Sequence, residues 1–185
     1  MLAFDDDRVY GFGREPGLFV WSHVLENHLF SSARQADAET IERVKQWSQK
    51  SGRDAVFNRQ FTRQASVEKR LAPKLHWSVS HPPLHARAMV LTGETLFVAG
   101  PPDVLDEDEA FKRPGDPQVK DRIMEQDAAY EGKRGALLMG VSKADGKPVL
   151  RLDLTAQPVW DGMAAANGRL YLATKDGKLL CFDKQ

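Results

Sequence analysis

Apolar positions in the last 25 residues, "DGMAAANGRLYLATKDGKLLCFDKQ", fall into three short runs, 163–166, 169–174 and 179–183, separated by Asn167-Gly168 and Asp176-Gly177. Each run suits a strand and is too short for a helix, and both dipeptides tolerate the positive φ that tight hairpins require. The pattern predicts an antiparallel meander. Three strands this short bury too little apolar surface to fold alone, so the meander is expected to be one unit of a larger β architecture.

The same pattern recurs upstream. "WSVSHPPLHARAMVLTGETLFVAG" (77–100) lies over "RLDLTAQPVWDGMAAANGRLYLAT" (151–174) without a gap, pairing Met89 with Met163, Leu96 with Leu170, Phe97 with Tyr171 and Ala99 with Ala173, a shift of 74 residues. Beyond that, "ALLMGVSK" matches "KLLCFDK" with Leu138 over Leu179 and Val141 over Phe182, a shift of 41. The difference of 33 residues is an insertion in the earlier copy. A repeat of about 40 residues has the length of one four-stranded propeller blade. A third copy opens the chain, where "FDDDRVYGFG" (4–13) lies over "LTGETLFVAG" with Val9 on Leu96 and Tyr10 on Phe97, a shift of 87.

Two insertions follow from these shifts, at about 14–74 and 101–134, both expected to leave just after the second strand and so to lie on one rim. Each reads as helical. In "SSARQADAETIERVKQWSQKSG" (31–52), Ile41, Val44 and Trp47 recur every three residues before Gly52, a helix with its terminator. In "GDPQVKDRIMEQDAAYEGK" (115–133), Asp116 and Pro117 form a helix start, and Val119, Ile123 and Tyr130 are expected inward. That leaves Lys120, Asp121, Arg122 and Glu125 outside as a candidate partner surface.

Charge and composition narrow the partners. Lys plus Arg and Asp plus Glu number 26 each, so no net field exists to hold a polyanion, and a nucleic-acid partner is not expected. The hydrophobic fraction of 42% supports a real core. Runs such as "LFV" and "ALLMGV" fall far short of the ~20 apolar residues of a membrane helix, and no basic-then-apolar leader opens the sequence. The single Cys181 excludes an internal disulfide and a cysteine-based zinc site. Entry of the chain in a strand-like segment, "MLAFDDDRVY", is read as that of a C-terminal piece of a longer protein, or of a chain that associates with itself.

"NGRLYLATKDGKLLCFDKQ" and "GALLMGVSKADGKPVLRLDL" resemble the "G-x-L-Y-x-x-T-x-D-G-x-L-x-x-x-D" and "L-x-A-x-D-x-x-T-G-K" patterns of the PQQ-like, quinoprotein-type β-propeller repeats. The resemblance covers roughly residues 2–13, 75–100 and 135–185. It implies a mainly β fold: a single partial propeller over 1–185 with about two to three blades and two helical insertions on one rim. It also implies a periplasmic or extracellular location, and a partner in the remaining blades of the same longer protein. That family includes non-catalytic propellers and quinone- and calcium-dependent dehydrogenases, so two functions follow: a binding or scaffold module with no cofactor, which takes a protein or small molecule at its rim, or a fragment of a dehydrogenase using pyrroloquinoline quinone and calcium. Family likeness carries the fold and leaves the activity open.

Candidate chemistry favours the first. A dehydrogenase of that family stacks its cofactor on a Trp and a vicinal disulfide, which one cysteine cannot make, and Trp160-Asp161 reads as a buried strand aromatic followed by a turn carboxylate. His76, His81 and His85 share the stretch "HWSVSHPPLH" without the spacing of a zinc motif. "DVLDEDEAF" (103–111) lacks the glycine of a calcium loop and reads as an acidic helix start. Asp5, Asp6 and Asp7 occupy a repeat turn. Of Trp21, Trp47, Trp77 and Trp160, all but Trp47 are expected between sheets. No phosphate loop, nucleophile elbow or H-E-x-x-H stands in the sequence.

Overall fold

The computed structural model describes residues 1–15, 26–42, 45–46 and 74–183. They form a mainly β protein of three antiparallel sheets that follow one another along the chain. The first holds β1 (Leu2–Phe4), β2 (Arg8–Arg14), β3 (Asn27–Ala33) and β4 (Leu75–Ser80) in sequence order. The second holds β5 (Ala88–Leu91), β6 (Thr95–Gly100), β7 (Ala136–Ser142) and β8 (Pro148–Leu154), and the third β9 (Pro158–Ala166), β10 (Arg169–Thr174) and β11 (Leu179–Phe182). The turn at Asn167 and Gly168 has φ of 51° and 76°, the positive pair that matches the twist of the strands it joins.

Strand register confirms the equivalences read from the repeat. Leu96 pairs with Val141 and Leu170 with Phe182; Phe97 pairs with Gly140 and Tyr171 with Cys181; Ala99 pairs with Leu138 and Ala173 with Leu179. In the first sheet Tyr10 pairs with Ser31 and Phe12 with Leu29. Each sheet thus sets an aromatic on its second strand opposite a small residue on its third: Tyr10 and Ser31, Phe97 and Gly140, Tyr171 and Cys181. The gapless overlay slips by one residue at the fourth strand, where Trp77, opposite Ser31, is the counterpart of Leu150, opposite Gly140, because Trp77 precedes Leu96 by 19 residues and Leu150 precedes Leu170 by 20.

Alternation puts successive residues on opposite faces, and the sheets use the two faces differently. Tyr10, Leu29 and Trp77 of the first sheet pack against Met89, Leu96, Val98 and Met139 of the second. The other face of the second, with Ala88, Ala99 and Leu138, packs against Leu170 and Leu172 of the third. Each sheet therefore presents its Leu96-type side chains to the sheet before it and its Phe97-type side chains to the sheet after it. Burying one such leucine contributes roughly 1.5–3 kcal/mol. The first strands lie closest together, β5 against both β1 and β9.

A polar tie spans the first seam. Trp77 Nε1–H donates to the Lys143 carbonyl at 2.9 Å, and its indole lies on Gly146, where a Cβ would come within 2.7 Å of the ring. Arg8 reaches the same turn, donating to the carbonyl of Lys143 at 3.4 Å.

The insertions differ from expectation. Residues 14–74 are not one excursion, since they contain β3, fully paired with β2. The connection 34–74 joins β3 to β4, whereas 101–135 joins β6 to β7. Consecutive antiparallel connections lie at opposite ends of a sheet, so the strand ends from which these two segments leave, Ala33 and Gly100, lie on opposite rims rather than on one. Nor does a helix run from Ser31, which is in a strand; helical residues begin at 38, with Asp37 Oδ1 accepting from Thr40 N–H at 2.6 Å. Ile41 is exposed, and Val44, Trp47, Gly52 and Trp21 lie outside the described residues.

Candidate functional site

The rim formed by the ends of β2, β4 and β6 and the starts of β3, β5 and β7 carries the excursion 101–135, with helices α1 (Glu107–Lys112) and α2 (Pro117–Tyr130). The acidic run begins α1: Asp106 caps it by accepting from Glu109 N–H at 2.8 Å, and Glu107, Asp108 and Glu109 fill its first turn, where negative charge offsets the helix dipole. Asp116 caps α2 by accepting from Gln118 N–H at 2.9 Å, with Pro117 opening the helix.

Side chains that dock α2 differ from those the spacing predicts. Val119 is buried, but Ile123 is 42% exposed and Tyr130 stands at the surface; Gln126 and Ala129 take their places. The reason is polar. Gln126 Oε1 accepts from the N–H groups of Val104 (2.8 Å) and Leu105 (3.3 Å), and its Nε2 donates to the Pro102 carbonyl at 3.2 Å. One buried amide thereby satisfies three backbone groups of the loop that leads into the helices. Gln157, from the β8–β9 connection, closes the other end, its Nε2 donating to the carbonyls of Ala129 and Tyr130.

His81 and His85 both fasten this excursion to the sheets. Glu26, buried at the start of β3, accepts from His81 Nδ1 at 2.9 Å and from the Glu107 N–H at 2.7 Å. His85 meets Asn27 at Nδ1 (3.4 Å), and both Tyr130 Oη (3.0 Å) and Asp103 Oδ1 (3.3 Å) at Nε2. An imidazole protonated on Nε2 alone satisfies all three: Asn27 donates to the bare Nδ1, and Nε2–H is shared by the carboxylate and the phenol. Burial, followed by the carboxylates of Glu107, Asp103 and Asp127, pushes the Tyr130 phenol up to about 12, so it stays protonated wherever the protein is folded near neutrality. This geometry makes a latch, with no activated nucleophile in it. His76 is exposed on β4. Among the described residues no three His, Cys, Asp or Glu side chains converge as metal ligands would.

Trp160 departs most from expectation. It is 72% exposed rather than buried between sheets. Pairing of β9 with β10 is regular from Ala166 back to Met163 and resumes only at Pro158, opposite Thr174. The intervening residues bow out of the ladder, with Asp161 at φ 54°, a conformation that a non-glycine residue holds at a cost of about 1–3 kcal/mol. An Asp161 N–H bond to the Arg87 carbonyl at 2.8 Å fixes the bow, and Arg87 Nη2 donates in turn to the Tyr130 carbonyl at 3.5 Å. Hydrogen bonds thus run from the Asp161 N–H, next to Trp160, through Arg87 to Tyr130, His85 and Asp103. Sequence reasoning missed this because an apolar run containing Trp reads as core; the signal was Asp161-Gly162 within that run.

Lys120, Asp121 and Arg122 are exposed on α2, and Glu125 is half-buried and paired with Arg122 at 3.1 Å. Arg122 also lines an open cleft of about 370 Å³ between the helices, with Arg113, Leu105 and Val119. No helix among the described residues is long and apolar enough to cross a membrane. No family model matches the chain, and a search of curated proteins returns no match.

Proposed function

We propose that the chain is a partial β-propeller of the PQQ-like type that acts as a non-enzymatic binding module, and that it recognises its partner with the rim bearing α1, α2 and Trp160. What supports the blade reading is the regular use of the sheet faces together with the Trp77 tie across the first seam. The observation that carries the functional reading is Trp160. A large aromatic is exposed on a segment strained out of its ladder and pinned by Arg87, on a rigid scaffold that fixes its position. Aromatic side chains held this way anchor interfaces, and truncating such an anchor costs about 2 kcal/mol or more. Lys120, Asp121, Arg122 and Glu125 lie on α2 of that rim and supply the charged margin.

The test is affinity capture with the wild-type chain, Trp160→Ala and the double variant Lys120→Glu/Arg122→Glu, followed by titration of the captured partner. Trp160→Ala is expected to weaken binding about 30-fold or more, the charge reversal mainly to slow association, and neither to change thermal unfolding. Binding undiminished in Trp160→Ala would sink the reading. Pyrroloquinoline quinone with calcium, added in parallel, should give neither a bound-cofactor absorbance nor dye-linked oxidation; a signal there would favour the dehydrogenase.

A further inference from the structure

Among the described residues two sheet faces have no further sheet against them, and they are of opposite kinds. On the third sheet, the face equivalent to the one each earlier sheet presses on its successor carries Ala164, Tyr171, Ala173, Leu179 and Cys181. On the first sheet, the face equivalent to the one each later sheet presses on its predecessor carries Leu2, Phe4, Val9 and Phe30; it is open along β1, at Leu2 and Phe4, and already buried along β3, at His28 and Ser32. Leu29, Leu138 and Leu179 hold one position in the three sheets, on the third strand opposite Phe12, Ala99 and Ala173. The first two are 0% exposed, and Leu179 is 68% exposed. Conversely, Leu2 and Phe4 are 71% and 65% exposed, whereas their counterparts in the second sheet, Met89 and Leu91, pack into the first seam.

We propose that these two faces are the halves of one head-to-tail interface, through which a second copy of the chain continues the stack. The internal seams already show what covers such a face: a sheet of this same repeat, with Leu179-type residues meeting Phe4-type residues. A polar contact can be assigned as well. Arg8, at the second strand of the first sheet, donates to the Lys143 and Ala144 carbonyls in the third-strand turn of the next sheet. Arg169 holds the same position in the third sheet, and the carbonyls equivalent to those of Lys143 and Ala144 belong to Arg34 and Gln35, because Ala33 pairs with Arg8 as Ser142 pairs with Thr95. In the single chain Arg169 holds the exposed Asp183 at 3.0 Å and lies beside Tyr171; in the stack its guanidinium turns to residues 34–35 of the second copy. Such an interface is heterologous, so it either closes or propagates. Three sheets among the described residues of each copy make six in a pair, within the roughly 4–8 over which propellers close. This proposal concerns the sheet faces and stands apart from the rim.

Sedimentation equilibrium of the full chain tests it. The wild type should run at twice the mass of one chain. Leu179→Lys and Phe4→Asp, both at exposed positions, should each run at the mass of one chain, with an apparent dimerisation constant weakened about tenfold or more, while circular dichroism and thermal unfolding match the wild type under dilute conditions. Mixing the two variants should restore a dimer, since the intact first-sheet face of Leu179→Lys meets the intact third-sheet face of Phe4→Asp. An isologous contact has no such rescue. A wild type that stays monomeric up to about 100 µM, dimers that persist in both variants, or a mixture that remains monomeric would each overturn the proposal.

Discussion

The second and third sheets place the same kinds of side chain at the same positions and bury them to opposite extents. Leu138 and Leu179 occupy matching sites on β7 and β11, as do Phe97 and Tyr171 on β6 and β10. Leu138 is sealed against the third sheet, while Leu179 faces outward. Nothing in the local pattern separates the two leucines. Burial is set by the neighbouring sheet, so the residue's contribution to stability belongs to the seam rather than to the strand.

The widest test of that statement compares alanine at the two sites. Leu138→Ala, in the interior of the second seam, should cost about 2–5 kcal/mol, and Leu170→Ala, across the same seam, a similar amount. Leu179→Ala, measured on dilute chain, should fall within about 0.5 kcal/mol of wild type. Denaturant midpoints decide it, and equal losses at 138 and 179 would mean that the outward face of the third sheet is covered even in dilute solution.

The two seams also differ in how they are held, which gives a second test. The first has Trp77 donating to Lys143 and lying on Gly146; the second has Leu150 where Trp77 would be. Gly146 has φ 75° and no room for a Cβ beneath the indole. Gly146→Ala should therefore cost about 1–3 kcal/mol through strain alone, and it should quench or shift Trp77 fluorescence if the seam opens there. A loss without any Trp77 change would place the cost in the turn and not in the seam.

Much of this arrangement was legible in the sequence because it rests on local signals. Paired glycine turns and β-compatible runs mark β10 and β11, and the 74- and 41-residue shifts reproduce the strand register. What was illegible depends on partners far along the chain. The strand β3, "NHLFSSA", is poor in β-branched residues; it is a strand because β2 and β4 pair with it on both sides. Gln126 lies inward and Ile123 outward because the loop at 102–105 offers backbone groups that only an amide can satisfy. Trp160 faces solvent because a break in the pairing turns it out, which no hydrophobicity pattern records.

The small residues opposite the aromatics sharpen the comparison between sheets one and two. Ser31 and Gly140 are counterparts, but the Ser31 hydroxyl is buried with no hydrogen-bond partner. An unsatisfied buried hydroxyl is destabilising, so Ser31→Ala should raise stability by about 1 kcal/mol. Chemical denaturation reads this directly, and a loss instead would mean that the hydroxyl is satisfied by water.

The smallest effect lies in the hairpin turns, where the first two sheets share a geometry and differ in chemistry. Asp5 N–H donates to the Arg8 carbonyl at 3.0 Å as Thr92 N–H donates to the Thr95 carbonyl at 2.9 Å. The Asp5 carboxylate also accepts from the N–H groups of Arg8 (2.8 Å) and Asp7 (3.1 Å) and from the Tyr10 hydroxyl (3.2 Å), and faces Lys143 across the seam at 3.6 Å. Burial pushes its pKa up, but those N–H bonds, the phenol and the lysine outweigh burial and hold it below the unfolded value of 3.8. A carboxyl depressed on folding stabilises the protein fully above the unfolded value and loses that contribution as pH falls from 3.8 through the lower, folded one. Thr92 carries no such charge. Asp5→Thr should therefore turn the first turn into a copy of the second: less stable than wild type at neutral pH, with the gap closing as pH drops below about 3.8. Urea midpoints of both proteins across that acid range measure the gap. A constant difference would assign Asp5 a purely steric role in the turn, and the two hairpins would then be equivalent in chemistry as well as in shape.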